Sequence, residues 1–267
     1  MAGILAADQV TKVFSVAGAA AVMAVDRFSL DVEDGEFVCL LGASGCGKST
    51  ILNMFAGFVP PTSGEVRLRG VPIRAIEPRC GMVFQSYALF PWKTVRANVE
   101  FGLKMQGAPS HERRRIAQRF IEMVKLTGFE DHYPSELSGG MQQRVTFARL
   151  LAANPEVLLM DEPFAALDAM TRQVMQEELL RIHAENRKTT VFITHSIDEA
   201  LILADRIVVM SARPGRVKAV LENTLPTPRR VTVQLSPEFA KLKADVWALV
   251  ESEVRHHDET SSRAAAV

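Results

Sequence analysis

Gly42-Ala43-Ser44-Gly45-Cys46-Gly47-Lys48-Ser49-Thr50, called the phosphate loop below, is the stretch that decides the fold of this 267-residue chain. It matches the pattern G-x-x-x-x-G-K-[ST], in which glycines let backbone N–H groups approach a polyphosphate and a lysine adds positive charge. The apolar run at residues 37–41 predicts a buried strand before the loop, and the apolar positions at residues 51–55 predict a helix after it. Strand, glycine loop and helix in this order predict nucleotide binding.

Two further segments carry a family resemblance: Leu137-Ser138-Gly139-Gly140-Met141-Gln142-Gln143, called the signature segment, and Val157-Leu158-Leu159-Met160-Asp161-Glu162-Pro163. Together with the phosphate loop, in this order and at this distance, they make the chain resemble the ATP-binding subunit of an ABC (ATP-binding cassette) transporter over roughly residues 8–225. The family normally carries glutamine where this chain has Met141. The resemblance implies an α/β fold, namely a P-loop NTPase ABC ATPase core with a mixed sheet flanked by helices and an inserted helical subdomain.

The phosphate loop then has expected ligands, ATP and Mg²⁺. Lys48 should reach the β- and γ-phosphates, and the Ser49 hydroxyl should ligate Mg²⁺. The N–H groups of residues 45–50 should hold phosphate oxygens.

Asp161 and Glu162 follow the apolar run at residues 157–160, and ligands in open α/β sheets bind outside the carboxyl ends of strands. The resemblance implies that Asp161 is the Walker B residue that supports Mg²⁺. It implies that Glu162 is the catalytic carboxylate that polarises the attacking water. The alternative is an acidic surface turn, although an exposed turn would not need four apolar residues leading into it.

His195 and Gln85 each follow a predicted strand. The resemblance implies that His195 contacts the γ-phosphate, and the S-x-x-E spacing of Ser196 and Glu199 predicts a capped helix directly after it. It implies that Gln85 touches the metal or the water and hinges the helical subdomain. A structural histidine and an ordinary turn glutamine are the alternatives.

Other candidates concern a pair of subunits and the nucleotide base. Ser138-Gly139-Gly140 should begin a helix whose positive end favours phosphate. In the family this segment meets the ATP held by a second copy, which implies a head-to-tail pair with two ATPs at the interface. Asp168 matches the segment that crosses this interface. Phe14 is the candidate for stacking on adenine, with a place in the ordinary core as its alternative.

The remaining pattern predicts the domain organisation. Strands are expected at residues 64–68, 81–84, 157–160, 190–194 and 206–210, and four of these runs are mainly apolar, as in a parallel sheet covered on both faces. We expect an ATP-binding domain over 8–225, with its helical subdomain at about 87–150. An extension over 226–255 should carry an amphipathic helix that starts at Ser236-Pro237-Glu238, and residues 256–267 should form an irregular tail.

Composition limits the kinds of partner and the cellular compartment that we expect for the chain. With 31 Lys+Arg and 31 Asp+Glu the net charge is zero, so no global field attracts nucleic acid, and Arg113-Arg114-Arg115 is expected to be a solvated helix face. Three cysteines without metal-ligand spacing indicate a reducing compartment. No apolar run approaches the ~20 residues of a membrane span. These features indicate a cytosolic chain that does not enter a membrane by itself, and the resemblance to ABC transporter subunits implies a peripheral place on the cytoplasmic face of the cell membrane.

Leu89-Phe90-Pro91-Trp92 and Ser211-Ala212-Arg213-Pro214-Gly215-Arg216 resemble the nitrate/sulfonate/taurine importer branch. The branch implies permease subunits as partners and, indirectly, a substrate-binding protein. Taurine or another alkanesulfonate is the expected cargo, and nitrate or another small substrate of the branch is the alternative. A soluble, non-transport ABC ATPase is the alternative of a different class. It would need a long coiled-coil insertion, whereas only about ninety residues separate the phosphate loop from the signature segment.

Overall fold

The computed structural model describes residues 3–15, 20–84 and 88–264. The chain divides into two compact units. Unit 1 comprises Met1–Glu77 and Gln176–Val267, and unit 2 comprises Pro78–Met175. Unit 2 contains the range 87–150, in which the helical subdomain is expected, together with residues on either side of it.

Unit 1 contains a mixed sheet made from the apolar runs. Its strands, in spatial order, are β10 (Val217–Glu222), β9 (Arg206–Met210), β3 (Phe37–Leu41) and β8 (Thr189–Thr194). Strand β3 pairs in parallel with β8 and β9, and β10 runs antiparallel to β9. Every residue of β3 and β8 is buried, which explains why β3 is apolar throughout and why apolar residues in β8 do not alternate with exposed ones.

Unit 1 also contains an antiparallel sheet, of which the sequence predicted only one strand. Its spatial order is β2 (Val22–Val32), β1 (Leu5–Phe14), β4 (Ser63–Leu68) and β5 (Val71–Pro72). Positive φ at Gln9 and Arg27 and several register shifts between β1 and β2 interrupt the alternation of buried and exposed residues. A bulged, half-exposed ladder lacks the period-2 signal on which strand prediction depends.

Two helices fix the phosphate loop and the residue after β8. Helix α1 (Lys48–Phe55) packs against β1, β2, β4 and β8, so it lies between the two sheets of unit 1. Its apolar residues Ile51, Leu52, Met54 and Phe55 are all buried, as predicted. A later helix, Ile197–Leu203, packs on β3 and β8.

Unit 2 is mostly helical. It contains α2 (Val95–Val99), α3 (Phe101–Met105), α4 (Ser110–Met123), the short 3₁₀ helix Pro134–Glu136 and α5 (Gly139–Ala152). Helix α5 packs against α2, α3 and α4 and also against β6 (Cys80–Val83), which pairs in parallel with β7 (Val157–Asp161). Helix α6 (Ala169–Asn186) starts in this unit, and the Ile197–Leu203 helix is therefore α7.

The C-terminal helix α8 (Pro237–Ala264) begins at the predicted place, where the Ser236 hydroxyl accepts a hydrogen bond from the Phe239 N–H at 3.1 Å. Phe239 and Val246 are buried, and the helix packs on α7. The helix continues to Ala264, whereas the sequence pattern predicted an irregular tail from residue 256. The apolar period ends near Glu251, but no glycine or proline follows Pro237, so nothing in the chain breaks the helix there.

Over the described ranges, no helix has both the length and the apolar character needed to cross a bilayer.

Candidate active site

The phosphate loop of unit 1 is closed around the Lys48 ammonium group. Lys48 is 5% exposed, and its Nζ donates hydrogen bonds to the carbonyl oxygens of Gly42 and Ala43 at 2.7 and 2.8 Å. Gly47 has φ 101°, and a Cβ there would lie 2.7 Å from the Ala24 carbonyl oxygen. Only glycine fits this position, so the loop follows a path that a side chain would prevent.

The amino end of α1 faces the loop without a side-chain cap. Gly47 is its N-cap residue and provides no side-chain hydrogen bond. Ser44, Gly45 and Ser49 are exposed, Gly47 and Thr50 are half-buried, and Cys46 is 1% exposed. The buried Cys46 thiol also lies against Lys48, whose Nζ is 3.7 Å from the Sγ atom. The helix offers N–H groups and a positive dipole end to an anion.

His195 is brought next to the phosphate loop by strand register. Leu41 of β3 pairs with Thr194 of β8, so Gly42 and His195 each leave the sheet at the same carboxyl edge. His195 is exposed, as a residue that contacts a ligand must be. Two predicted residues that lie far apart in the sequence thus fall at neighbouring strand ends.

The predicted helix cap after His195 is present in a modified form. The Ser196 hydroxyl accepts a hydrogen bond from the Glu199 N–H at 3.3 Å, as predicted. In place of the reciprocal bond of a capping box, the Ser196 N–H donates to Thr194 Oγ1 at 3.0 Å, and that hydroxyl donates to Glu199 Oε2 at 2.6 Å. Thr194, at the end of β8, therefore ties the His195 turn to the first turn of α7.

Phe14 is the last residue of β1 and is 40% exposed, with the Lys12 ammonium 5.2 Å from its ring centroid. It pairs with Val22, two residues before Ala24, whose carbonyl borders the phosphate loop. An exposed ring in this place does not belong to the ordinary core. Its position is compatible with stacking on a base bound near the loop.

In unit 2, Asp161 and Glu162 stand where β7 ends. Asp161 is 7% exposed and Glu162 is half-buried. Glu162 has φ 45°, in the left-handed region that residues with a side chain rarely adopt. Strain of this kind, of order 1–3 kcal/mol, persists where the surroundings impose it and is concentrated at functional sites. The sequence gives no sign of it.

The signature segment is held against the segment that follows Glu162. The buried Gln143 side chain donates a hydrogen bond to the Pro163 carbonyl oxygen, and the rings of Phe147 and Phe164 stack at 5.6 Å. Gln143 belongs to the motif but was not among the predicted site residues. Its inward direction could have been read from its place on the apolar side of the α5 pattern, beside Phe147.

Ser138 and Asp168 are both exposed helix caps in unit 2. The Ser138 hydroxyl caps the 14-residue α5 by accepting from the Met141 N–H at 3.3 Å, and Gly139 and Gly140 form its first turn. Asp168 Oδ1 accepts from the Thr171 N–H at 3.0 Å at the start of α6. Hydrogen bonds from the Thr171 side chain and backbone lower the pKa of Asp168, so it remains a carboxylate. A Cβ on Gly140 would lie 3.5 Å from the Leu167 side chain, so the starts of α5 and α6 are near each other.

The predicted Mg²⁺ ligands fit the chemistry of that ion. Ser49 supplies a hydroxyl and Asp161 a carboxylate, both oxygen donors of the hard type that Mg²⁺ prefers. No cluster of three His, Cys, Asp or Glu that could hold a metal occurs among the residues described by the structure. Such a cluster is not needed, because Mg²⁺ is usually bound by one or two protein groups together with substrate phosphates and water. Gln85, the third predicted ligand, lies outside the described residues.

Comparisons with known proteins show the family of the chain. Residues 25–165 match the family model described as ABC transporter. The nitrate import ATP-binding protein NrtD of Synechocystis is 45% identical over 250 residues, which cover 91% of this chain and 93% of that protein. The bicarbonate transport ATP-binding protein CmpC of Synechococcus elongatus is 42% identical over 259 residues, which cover 96% of this chain and 39% of that protein.

Among solved structures, a dimeric post-hydrolysis state of the ATP-binding cassette MJ0796, bound to ADP and Pi, has a TM-score of 0.76 and 34% sequence identity. The match covers 83% of this chain and 100% of that chain. The family match spans the phosphate loop, the signature segment, Asp161 and Glu162. The chain belongs to the ABC transporter family, as an ATP-binding subunit that hydrolyses ATP to drive transport.

Proposed function

We propose that this chain energises the import of a small oxyanion, working as a head-to-tail pair in which each ATP lies between the phosphate loop of one copy and the signature segment of the other. The observation that carries the pair is the exposed end of α5. Ser138 and the amides in the first turn of α5 form a surface that attracts anions, and this first turn contains no acidic residue. The dimeric state of the MJ0796 cassette supports this arrangement.

Hydrolysis follows from the placement of charge. Lys48 and the amides of the phosphate loop neutralise the phosphates, and Mg²⁺, held by Ser49 and Asp161, adds positive charge when bound. Glu162 accepts a proton from the attacking water as the water oxygen bonds to the γ-phosphorus and the bond to the β-phosphate oxygen breaks, which gives ADP and phosphate. His195 donates to the γ-phosphate, so its contact is lost on hydrolysis and the pair reopens.

We expect separation of the pair to transmit the effect of ATP hydrolysis to the permease subunits in the membrane. We place the subunit on the cytoplasmic face, docked on permease subunits through residues 89–92. Phe90 packs on the Phe101 ring at 4.5 Å, whereas Trp92 is 71% exposed. The segment thus has one aromatic residue that anchors it and one that remains available for a helix of the permease. Tyr87, which the sequence places in the same cluster, lies outside the described residues.

Docking is tested by Trp92→Ala in the assembled transporter. We expect ATP hydrolysis to continue while transport per ATP falls, because the ring connects the two subunits but touches no nucleotide. Met105→Ala is the matched control, since Met105 is also a large apolar residue of unit 2 and is 65% exposed. Unchanged coupling in the Trp92 variant would remove this residue from the docking surface.

Two cargo classes compete. The motif resemblance favours taurine or an alkanesulfonate as the cargo, whereas the relatives named for nitrate and bicarbonate favour an inorganic oxyanion. The cargo does not contact this subunit, so the test uses the whole transporter with its substrate-binding protein. Taurine, an alkanesulfonate, nitrate and bicarbonate are added separately, and the cargo is the one that stimulates ATP hydrolysis. Stimulation by none of the four would overturn the proposal of oxyanion import.

A further inference from the structure

The loop between β9 and β10, residues 211–216, lies directly against the phosphate loop within unit 1. A Cβ on Gly215 would stand 2.1 Å from the Cys46 carbonyl oxygen, so the two backbones are in contact. The Gly215 N–H donates to the Ala24 carbonyl at 2.9 Å, and the Asp26 N–H donates to the Gly215 carbonyl at 3.0 Å. The β9–β10 loop is therefore tied both to β2 and to the loop that holds phosphates.

Arg213 provides a side-chain contact from the same segment. Its Nε donates a hydrogen bond to the Gly45 carbonyl oxygen at 2.8 Å, and a charged donor makes this bond stronger than a neutral one. Gly45 lies at the exposed turn of the phosphate loop with φ 75°. A glycine in this conformation has little intrinsic preference for one orientation, so an external contact can decide it.

Holding the Gly45 carbonyl also orients the next N–H group. The Gly45 C=O and the Cys46 N–H belong to one planar peptide and point in opposite directions. In the structure the Cys46 N–H points back across the turn towards the Ala43 carbonyl oxygen, at 3.4 Å. This contact closes the turn at the start of the loop, whose N–H groups over residues 45–50 are expected to hold phosphate oxygens. Arg213 therefore fixes the shape of the phosphate-binding turn without touching the nucleotide.

The C-terminal helix holds the β9–β10 loop in turn. Glu253 of α8 accepts a hydrogen bond from the Ala212 N–H at 2.8 Å and pairs with the Lys218 ammonium at 2.7 Å. Lys218 also donates to the Leu249 carbonyl at 2.9 Å. The Glu253 side chain is only 14% exposed, so its contacts are less screened by water than those of a surface pair.

We propose that Arg213 is a positioning residue for the phosphate loop, and that Glu253 on the C-terminal helix keeps Arg213 in place, so that α8 sets the affinity for ATP. The inference rests on the proposed binding of ATP phosphates by this loop. It gives α8 a role that none of the family motifs covers.

The test compares Arg213→Ala and Arg213→Lys in the purified transporter, with KM for ATP and kcat measured separately. Loss of a charge-assisted hydrogen bond at an exposed position should raise KM about 3- to 10-fold. The value of kcat should stay within about 2-fold, because Glu162 and Lys48 are untouched. Lysine retains a charged donor, so Arg213→Lys should restore most of the affinity. Arg230→Ala is the control for the loss of an exposed arginine from unit 1.

Glu253 is tested by Glu253→Ala and Glu253→Gln. We expect the alanine variant to raise KM in the same direction as Arg213→Ala, and the glutamine variant to raise it less, because its amide oxygen can still accept from Ala212. The double variant Arg213→Ala/Glu253→Ala should be no worse than Arg213→Ala alone, since both changes remove the same support. Asp245→Ala, an exposed carboxylate on the same helix, is the control.

A purely structural role predicts a lower melting temperature with unchanged KM, and that result would overturn the inference. So would additive effects in the double variant. If Lys48→Ala abolishes ATP binding while Arg213→Ala changes nothing, only this inference fails. If the Lys48→Ala variant binds ATP normally, the proposed function and this inference both fail.

Discussion

The phosphate loop of unit 1 and the turn at Asp161 and Glu162 in unit 2, called the Walker B turn after its expected role, both follow a buried strand, but they obtain their shapes differently. In the phosphate loop the residues with positive φ, Gly45 and Gly47, are glycines, for which this conformation costs little. In the Walker B turn the residue with positive φ is Glu162, for which it is strained. The loop is thus a relaxed backbone cradle, whereas the turn forces one carboxylate into place.

This difference indicates a division of labour. A cradle of backbone groups around a buried lysine binds charge but has no group that can accept a proton from water. A strained carboxylate has that ability and adds little to binding. Binding and hydrolysis should therefore be separable by single substitutions, one in each unit.

The largest expected effect is that of Glu162→Gln. Glutamine has nearly the same shape but cannot accept the proton, so hydrolysis should slow by about two to four orders of magnitude while ATP binding is retained. Phosphate release and calorimetry with ATP and Mg²⁺ measure the two properties. Asp131→Asn, an exposed carboxylate of unit 2, should leave both unchanged. Near-normal turnover in the Glu162 variant would end its assignment as the base.

Lys48→Ala should show the opposite pattern. The ammonium is buried and donates within the loop to two carbonyl oxygens and to the Cys46 sulfur, so its loss removes both a charge and the group that closes the cradle. We expect ATP affinity to fall about 10- to 100-fold, the range for charge-assisted hydrogen bonds. Calorimetry measures the affinity, and Lys241→Ala on α8 is the matched loss of an exposed lysine. An unchanged affinity for ATP in the Lys48→Ala variant would contradict the proposal that the phosphate loop binds ATP around Lys48.

A smaller effect is expected from Ser138→Ala. This variant tests whether the signature segment of one copy faces the ATP bound by the other copy. The hydroxyl that caps α5 is proposed to contact the ATP held by the other copy, and a hydrogen bond to a charged group contributes about 1.5 kcal/mol, or about 10-fold in an equilibrium. Pair formation with ATP, measured by size-exclusion chromatography in the Glu162→Gln background, should weaken by at least that factor. Ser135→Ala removes a nearby exposed hydroxyl as a control. Hydrolysis by single subunits, unaffected by the loss of Ser138, would refute the pair.

The same comparison shows what the sequence could predict. The phosphate loop and His195 were predictable because a glycine motif and apolar strands are local patterns, and parallel register alone brings Gly42 and His195 to one edge. The left-handed conformation of Glu162 was not predictable, since backbone strain is imposed by the surroundings. Arg213 contacts Gly45 across 168 residues of sequence, a distance at which no local pattern operates.

The antiparallel sheet was missed for a related reason. Its strands β1 and β2 contain bulges near Gln9 and Arg27, and their register shifts, so buried residues do not alternate regularly. The sheet is held by pairing between strands rather than by a pattern within either of them. Prediction was therefore most successful where one strand is buried on both faces.

The smallest expected effect concerns stability alone, at the opposite end of β3 from the phosphate loop. Burial by itself would raise the pKa of Asp205, but contacts with His183, the Phe37 N–H and Arg229 outweigh it and lower the pKa to about 2. A depressed carboxyl pKa stabilises the folded chain above the unfolded value, and the stabilisation is lost as the pH falls from about 4 towards 2.

Asp205→Asn should therefore lower the melting temperature at pH 7, and the difference from the wild type should shrink through this pH window. A third of the side chain is exposed, so water screening limits the contribution to about 1 kcal/mol, or about 2–4 °C. The value of kcat should not change, because Asp205 precedes β9 at the edge away from His195 and the phosphate loop. A pH-independent difference in melting temperature would assign the effect to packing instead of charge. A loss of hydrolysis in the folded variant would show that the two edges of unit 1 are coupled, against the division of labour argued from the phosphate loop.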